Sequence, residues 1–287
     1  MSHSPSISPD LQRHIDLVLK TTMPTGHNIG LAAALIKRWF KPTFVGLERL
    51  PSKPALFVGN HSLLAVDGFV FWTLMNYDYG RFLRALGDKS LFANPQYASV
   101  VTSLGAGLGR PEVFEALMTN KQDILLFPGG THEAIKSPER RYELMWQERY
   151  GFIRMAAKMG YTIVPFASVG PDEYFEHYIE GPEIMATELA QLLIRLGLIP
   201  DDLRDDIVPP LPAGVFGSLI PKPKTTYFGF GRPVDLAAYA GKIPTKRQQQ
   251  KLRDSVADEI DQQIKSLLLL REQRRHKDSL LRRILSI

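Results

Sequence analysis

Apolar and polar positions along this chain form two patterns that take turns from one end to the other. Short apolar runs, as over 55–58 and 123–127, are followed by glycine or proline and are typical of buried strands. Longer segments with apolar residues three or four positions apart, as over 9–20 and 150–159, predict amphipathic helices. Strands that alternate with helices favour an α/β fold, in which a central, largely parallel or mixed sheet is flanked by helices.

Three segments carry more specific expectations. The strand predicted over 162–168 contains Pro165, and proline cannot donate to a sheet ladder. This strand is therefore expected to lie at an edge of the sheet or to end near Pro165. A further strand is predicted over 44–50. The segment 197–224 is long, apolar and rich in proline, and a loop of that length is more often functional than filler.

Composition narrows the class of protein without identifying an activity. The 287 residues are 44% hydrophobic and 23% charged, which is typical of a soluble globular protein. The sequence contains no cysteine, so disulfides, thiolate metal sites and a cysteine nucleophile are excluded. The net charge of +5 and the pI of about 9.3 suit nucleic acid, an anionic membrane or an anionic small molecule such as coenzyme A. No nucleic-acid-binding module is recognisable, so a nucleic-acid partner is not expected.

The basic residues are concentrated towards the two ends of the chain. Residues 1–43 are predicted to form amphipathic helices that contact a membrane or the core, with basic residues beside Trp39 and Phe40. Residues 241–287 are predicted to form a basic amphipathic helix, packed on the domain or extending from it. No uncharged apolar run reaches the roughly 18 residues that span a bilayer, and the start of the chain lacks a signal-peptide pattern. We therefore expect a cytoplasmic protein that associates with membranes peripherally.

His61 and Asp67 carry the candidate chemistry. They follow the strand over 55–58, and Asn60 is expected to cap a helix that begins at His61 or Ser62. Asp67 then lies less than two turns along that helix and can turn back towards His61. A carboxylate bonded to one imidazole nitrogen leaves the other nitrogen free to take a proton. The alternative is a helix cap beside an ordinary surface aspartate.

Two glycine-rich loops supply further candidates. The loop over 128–133 contains Gly129 and Gly130, which allow a ligand to approach the backbone amides closely. The loop over 103–110 matches a dinucleotide fingerprint only in part, because Arg110 occupies its last glycine position, and we interpret it as presenting that arginine. The first of these loops and the candidate histidine both leave the carboxyl ends of predicted strands, where open α/β sheets bind ligands.

Four short blocks occur in order along the chain: Asn60-His61 with Asp67, the loop 105–110, the segment 127–133 and the segment 163–165. Together they resemble the four blocks of the glycerolipid (lysophospholipid) acyltransferase superfamily. Five residues separate the histidine from the aspartate, where four are usual, and the third block reads Phe-Pro-Gly-Gly-x-x-Glu. These features are similar to the mono- and diacylglycerol acyltransferase-like branch, near which the plant phytyl ester synthases lie. The resemblance implies an acyltransferase domain over 44–240 with the fold of that superfamily.

The resemblance also implies a reaction, the transfer of a fatty acyl group from a thioester to a lipid hydroxyl. The co-substrate would be acyl-CoA or acyl-carrier protein, with no other cofactor. His61 would be the general base and Asp67 its orienting partner, since an alcohol is a poor nucleophile until its proton has somewhere to go. Backbone amides around Gly129 and Gly130 are the candidates for stabilising the oxyanion. No metal site is expected, because the helical His-Glu-x-x-His pattern is absent.

One departure from the superfamily concerns the acceptor. Members that accept a phosphate-bearing lipid carry Glu-Gly-Thr-Arg in the third block, whereas this chain has Gly-Gly-Thr-His-Glu over 129–133. A neutral His132 is a poor substitute for a bidentate guanidinium, which favours a neutral acceptor such as a mono- or diacylglycerol or a long-chain alcohol. Glu133 is expected either to hold the loop or to orient an acceptor hydroxyl. The substrate-binding candidates are Asn60, Arg110, Gly129, Gly130, Thr131, His132 and Glu133.

Three other functions are compatible with the same residues. A lysophospholipid acyltransferase would use Arg110 to bind the acceptor phosphate. A thioesterase or lipase-type hydrolase would use the His–Asp pair with water in place of the alcohol. A non-catalytic lipid-binding protein would bind lipid equally well without His61.

Overall fold

The structure, a computed structural model, describes residues 7–179, 181–195 and 211–286. Its strands are β1 (Thr43–Val45), β2 (Ala55–Gly59), β3 (Leu83–Gly87), β4 (Gly107–Leu108), β5 (Asp123–Leu126), β6 (Thr162–Val169), β7 (Glu176–Ile179), β8 (Leu211–Ala213) and β9 (Tyr227–Phe230). Its α-helices are α1 (Pro9–Lys20), α2 (His27–Phe40), α3 (Val66–Tyr79), α4 (Pro95–Ser103), α5 (Pro111–Thr119), α6 (Thr131–Ala134), α7 (Gly151–Met159), α8 (Gly181–Met185), α9 (Glu188–Arg195), α10 (Lys246–Arg274) and α11 (Leu280–Leu285).

Seven strands form one mixed sheet in the order β1-β9-β6-β2-β5-β3-β4. Neighbouring strands are parallel except β6 and β9, so β9 and β1 run against the other five. Strands β7 and β8 pair in a separate antiparallel sheet. The expected α/β fold with a largely parallel or mixed sheet is confirmed.

Helices cover both faces of this sheet. Because successive side chains of a strand point to opposite faces, β2 contributes Leu56 and Val58 to one core cluster and Phe57 to the other. The first cluster contains buried residues of α1, α5, α7 and α10, and the second contains those of α2 and α3. The apolar stripes of α1 and α2, the first two predicted helices, therefore pack on the core.

The expectation that Pro165 places its strand at an edge is wrong. Strand β6 lies between β2 and β9 and continues past Pro165 to Val169. The carbonyl of Pro165 accepts from Gly231 N–H at 2.8 Å, and the next bridge joins Ile163 to Val234. Between these two contacts the backbone advances three residues from Gly231 to Val234 but only two from Pro165 to Ile163, as in a β-bulge. The missing N–H of the proline falls at this irregularity, beyond the end of β9, and interrupts no regular ladder.

The strand expected over 44–50 is also shorter than its pattern suggests. Strand β1 ends at Val45, and Leu47–Arg49 form a 3₁₀ turn. Gly46 has a φ of 82°, and a Cβ at this position would lie 2.8 Å from the carbonyl oxygen of Phe230, so only glycine fits. Of the loop expected over 197–224, residues 197–210 lie outside the described residues. The remainder contains β8 and a 3₁₀ turn at Val215–Gly217.

The basic helix expected near the end of the chain is α10, which has 29 residues. Its buried residues, among them Val256, Ile260 and Ile264, pack on the core at β6 and β9. Within the described ranges, neither this helix nor any other combines the length and the hydropathy needed to cross a bilayer.

Candidate active site

His61 and Asp67 lie in the connection between β2 and α3, at the carboxyl end of the parallel strands. The expected helix start is wrong, since α3 begins only at Val66, after a 3₁₀ turn (Leu63–Ala65). The last two residues of that turn have left-handed φ values of 59° and 58°. Such a conformation costs a non-glycine residue about 1–2 kcal/mol. The turn takes up most of the sequence between the two side chains and leaves Asp67 in the first turn of α3, where it faces His61.

The imidazole of His61 is bonded to the carboxylate of Asp67. Nδ1 lies 3.1 Å from Oδ2 and 3.0 Å from Oδ1. Ser62 Oγ donates to the same carboxylate at 2.8 Å, and Phe127 stacks on the imidazole with ring centroids 3.9 Å apart. Asp67 is 1% exposed and His61 8%, so this contact is shielded from solvent. When Nδ1–H donates to the carboxylate, Nε2 is the proton acceptor, and it makes no hydrogen bond within the described residues.

Asn60 does not cap a helix. Its Nδ2 donates to the carbonyl of Ser168 at 3.0 Å, and its Oδ1 accepts from Ser168 N–H at 2.8 Å. These two bonds tie the end of β2 to the end of β6, and the asparagine is fully buried. Because both polar ends of the side chain are occupied, the geometry favours a positioning role for Asn60 over the expected contact with substrate.

Glu133 is fully buried in α6 and joins the glycine-rich loop over 128–133 to the backbone of His61. Its Oε2 accepts from His61 N–H at 3.0 Å, and its Oε1 accepts from Met145 N–H at 2.7 Å. Burial raises the pKa of Glu133 to about 7, although Lys136 and the two N–H groups act in the opposite direction. A Cβ on Gly129 would lie 2.2 Å from the Cδ of Glu133, so glycine is needed beside this carboxylate. Of the two expected roles of Glu133, the structure favours holding the loop.

Lys136 and Asp172 belong to the same buried network, although sequence patterns do not predict either. Lys136 Nζ donates to the carbonyl of His61 at 2.8 Å and lies 2.9 Å from Asp172 Oδ2. Both side chains are 2% exposed. Lys136 and Glu133 thus hold the carbonyl and the N–H of the same histidine. The three-residue spacing of Glu133 and Lys136 was the sequence signal for their proximity, whereas nothing in the sequence links Asp172 to His61.

The remaining residues of this loop are more accessible. Thr131 and His132 lie in α6 and are partly exposed. Gly130 N–H donates to the carbonyl of Phe127 at 2.9 Å, so this amide, one of the two expected to stabilise an oxyanion, is already occupied. Gly129 N–H donates no hydrogen bond within the described residues and stays the candidate. In the same ranges, no group of three His, Asp or Glu side chains is arranged to hold a metal ion.

A cleft of about 1250 Å³ has Phe127, Pro128 and Gly130 in its wall, so it begins one aromatic ring away from His61. Arg110 lines this cleft and bonds Glu112 at 3.1 Å, without contacting the His61–Asp67 pair. The described lining carries more positive than negative side chains: Lys89, Arg110, Arg149, Arg154, Lys158 and Lys246 against Asp88 and Glu148. The cleft therefore suits an anionic group such as a phosphate.

Part of this chain matches a family model, and several known proteins are similar to it. Residues 41–169 match the family model described as Acyltransferase. Phytyl ester synthase 2, a chloroplastic protein of Arabidopsis thaliana, is 30% identical over 239 residues, which are 79% of this chain and 34% of that protein. The Bos taurus protein named DGAT1/2-independent enzyme synthesizing storage lipids is 25% identical over 217 residues, which are 75% of this chain and 58% of that protein. This chain thus spans only about a third of the plant relative's length and little more than half of the bovine one.

Among solved structures, the 1-acyl-sn-glycerophosphate (LPA) acyltransferase of Thermotoga maritima aligns over 90% of this chain and 89% of its own. The TM-score is 0.47 and the sequence identity 13%.

Proposed function

We propose that this chain, a member of the acyltransferase family through residues 41–169, transfers a fatty acyl group from an acyl thioester to the hydroxyl of a neutral lipid. The observation that carries the proposal is the His61–Asp67 contact, with Nδ1 held by the carboxylate and Nε2 making no hydrogen bond to any residue that the structure describes. Two relatives named as a phytyl ester synthase and an enzyme synthesizing storage lipids support an ester product. Because this chain spans only part of their length, we infer its substrates from its own side chains.

In the proposed reaction, Nε2 of His61 accepts the proton of the acceptor hydroxyl as that oxygen attacks the thioester carbonyl carbon. The new C–O bond gives a tetrahedral oxyanion, and its collapse breaks the C–S bond. The departing thiolate takes the proton back from the imidazolium, so proton and charge balance. Asp67 stabilises the imidazolium that forms between the two steps, as the aspartate of a catalytic triad does. Positioned base catalysis of this kind contributes about 10²- to 10⁴-fold.

We assign the two other parts of the site to the oxyanion and the donor. The N–H of Gly129 is the proposed oxyanion donor, since the N–H of Gly130 is held by Phe127. The cationic cleft at Arg110 and Arg149 is the proposed site for the phosphate-bearing part of the donor, acyl-CoA or acyl-carrier protein.

His132 supports a neutral acceptor. It occupies the position at which phosphate-accepting members carry arginine, and a neutral imidazole offers no bidentate pair of donors to a phosphate. We therefore propose a mono- or diacylglycerol or a long-chain alcohol. An acceptor of this kind resides in membranes, so the enzyme would reach it as a peripheral protein.

The test is acyl transfer from radiolabelled acyl-CoA, and separately from acyl-carrier protein, to a mixture of monoacylglycerol, diacylglycerol, long-chain alcohol and lysophosphatidate. His61→Ala should lose at least about a hundredfold in neutral-ester formation. The matched control is His27→Ala, an exposed histidine at the start of α2, which should leave the rate unchanged. Circular dichroism establishes that both variants are folded.

Each product has a separate meaning. A phospholipid product would keep acyl transfer and overturn the neutral acceptor. Free fatty acid alone, lost with His61, would identify a hydrolase. Undiminished ester formation by His61→Ala would overturn the role of the histidine. His132→Arg should shift the ratio of products towards lysophosphatidate, and an unchanged ratio would contradict the role given to His132.

A further inference from the structure

A second cavity, of about 760 Å³, lies between the end of α10, α11 and the segment 223–225. It shares no lining residue with the cleft at Arg110 within the described chain. Arg282 fixes α11 beside this cavity, because its Nη1 donates to the carbonyls of Trp39 and Pro223. The guanidinium of Arg282 is buried, so the helix is firmly attached to the folded domain.

Positive charge predominates around this second cavity. Its described lining has five cationic side chains and three carboxylates: Lys224, Arg271, Arg275, Arg282 and Arg283 against Glu173, Glu272 and Asp278. Glu173 pairs with Arg271 at 2.5 Å, whereas Lys224 lies 4.0 Å from it. Burial lowers the pKa of Lys224, Glu173 opposes this, and neighbouring cations such as Lys222 and Arg271 lower it further. The charge of Lys224 is therefore compensated only in part, and an anion with several acceptor oxygens would compensate it.

The helix beside the cavity has a second, apolar face. Leu280 and Leu281 are 74% and 66% exposed, and Ile284 is exposed as well. The cavity-lining Arg282 and Arg283 follow the two leucines by two positions, which is about 200° around a helix. Helix α11 thus turns its cations towards the cavity and its apolar residues in the opposite direction, away from the domain.

The chain that leads into the cavity wall also carries exposed apolar side chains. Phe216 is 80% exposed and Leu219 is 74% exposed, in the segment that precedes Pro223. Soluble phosphate would match the cations of the cavity but would leave these apolar side chains in water. An anionic bilayer supplies both phosphate oxygens and an apolar layer, so the charge and the apolar face together favour a lipid surface.

We propose that the cavity between α10 and α11 binds the phosphate of an anionic phospholipid in a bilayer, while Leu280, Leu281 and Ile284 enter the apolar layer. The acyl-transfer site is not involved in this binding. The contact can therefore be measured without an acyl donor, and its failure is distinguishable from failure of the proposed acyl transfer.

The experiment is flotation of the full chain with vesicles of phosphatidylcholine alone, or with about a third phosphatidylglycerol. The charge variant is Arg275→Gln/Arg283→Gln, which spares the buried Arg282. It should bind the anionic vesicles about thirtyfold more weakly, since each cation near an anionic surface contributes about fivefold. The matched control is Arg247→Gln/Lys251→Gln, which removes two exposed cations from the other end of α10. Lys251 lies about 30 Å along the helix from Arg271, beyond the range of screened charges, so the control should bind like wild type.

A second variant tests the apolar face and separates the sources of phosphate. Leu280→Ser/Leu281→Ser should weaken vesicle binding at least about tenfold, because binding scales with the apolar area buried. Inorganic phosphate and glycerol 3-phosphate, followed by thermal shift, should bind this variant and wild type equally.

Several results would overturn the proposal. Equal binding to both vesicles, or equal weakening by the two charge variants, would exclude this cavity as an anionic-lipid site. Vesicle binding unaffected by Leu280→Ser/Leu281→Ser would overturn the entry of α11 into the apolar layer. Binding of inorganic phosphate without binding of vesicles would assign the cavity to a soluble phosphate. Capture of polyglutamate that depends on Arg275 and Arg283, without vesicle binding, would assign it to an acidic protein.

Discussion

Replacing Lys136 by methionine tests the contacts that hold the backbone of His61 in position and leaves its contact with Asp67 unchanged. Lys136 and Asp172 form a buried ion pair at 2.9 Å, and Lys136 also donates to the carbonyl of His61. Removing one partner of a buried pair leaves the other charge uncompensated, which typically costs about 3–5 kcal/mol of unfolding free energy. Removing both charges in Lys136→Met/Asp172→Asn leaves chiefly the unbonded carbonyl of His61, at about 1–3 kcal/mol. The double variant should therefore be more stable than the single one.

Acyl-transfer activity should behave differently from stability. Both variants lack the hydrogen bond to His61, so both should lose kcat, by up to about a hundredfold for a displacement near 1 Å. KM for the donor should change little, because Lys136 does not line the cationic cleft. Urea denaturation measures the stabilities, and initial rates measure kcat and KM.

The pH dependence of stability offers an independent check on the same pair. Burial raises the pKa of Asp172, and Lys136 opposes that shift. Without Lys136 the carboxyl group should hold a proton in the folded state at a pH where the unfolded chain has released it. The single variant should therefore regain stability relative to wild type as the pH falls from 7.5 towards 5. A double variant with wild-type kcat would refute the positioning role, and a double variant no more stable than the single would refute the buried ion pair.

Three further predictions concern the same site. Asp67→Asn should lower kcat by about 10²- to 10⁴-fold in the transfer assay. The control Asp78→Asn, which removes the exposed ion pair with Lys37, should leave kcat unchanged. Equal kcat values for the two variants would exclude Asp67 from the mechanism. Gly129→Ala should lower the free energy of unfolding by more than about 2 kcal/mol in urea melts, because its Cβ would lie 2.2 Å from the side chain of Glu133. The control Gly151→Ala should be neutral or slightly stabilising, because its Cβ would meet no other part of the protein within 4 Å. The pKa of Glu133 is about 7 in the folded protein against 4.5 in the unfolded chain, so the folded protein keeps this proton to higher pH. The contribution of Glu133 to the free energy of unfolding should therefore fall by about 3 kcal/mol as the pH rises from 4.5 to 7. Glu133→Gln should remove this dependence when melts at pH 5 and pH 8 are compared.

Much of the fold could be predicted from local pattern, because helix and strand periodicities differ and the strands that matter are apolar. The exceptions arise where long-range contacts decide the local structure. Strand β6 occupies the interior of the sheet despite Pro165, since the position of the proline opposite a bulge is fixed by the distant segment 231–234. Strand β1 ends at Val45 because Gly46 turns against Phe230, a residue far away in sequence.

The candidate site shows the same division. The proximity of His61 and Asp67 could be predicted from their spacing, even though α3 does not begin where capping rules place it. The partner of Asn60 could not be predicted, because Ser168 comes next to it only when β2 and β6 pair. Asp172 is beyond reach for the same reason. Roles that depend on tertiary neighbours need the structure, whereas the contact between His61 and Asp67 is local.

The two outer strands of the large sheet have a consequence for how this protein behaves when it is crowded. Strand β1 has three residues and β4 only two, so neither border of the seven-stranded sheet offers a long row of unpaired backbone groups. Strand-by-strand addition of a second molecule, the first step of β-aggregation, needs such a row. A protein concentrated on a two-dimensional surface meets its own copies far more often than in solution. Short borders would let it accumulate there without the copies joining their sheets.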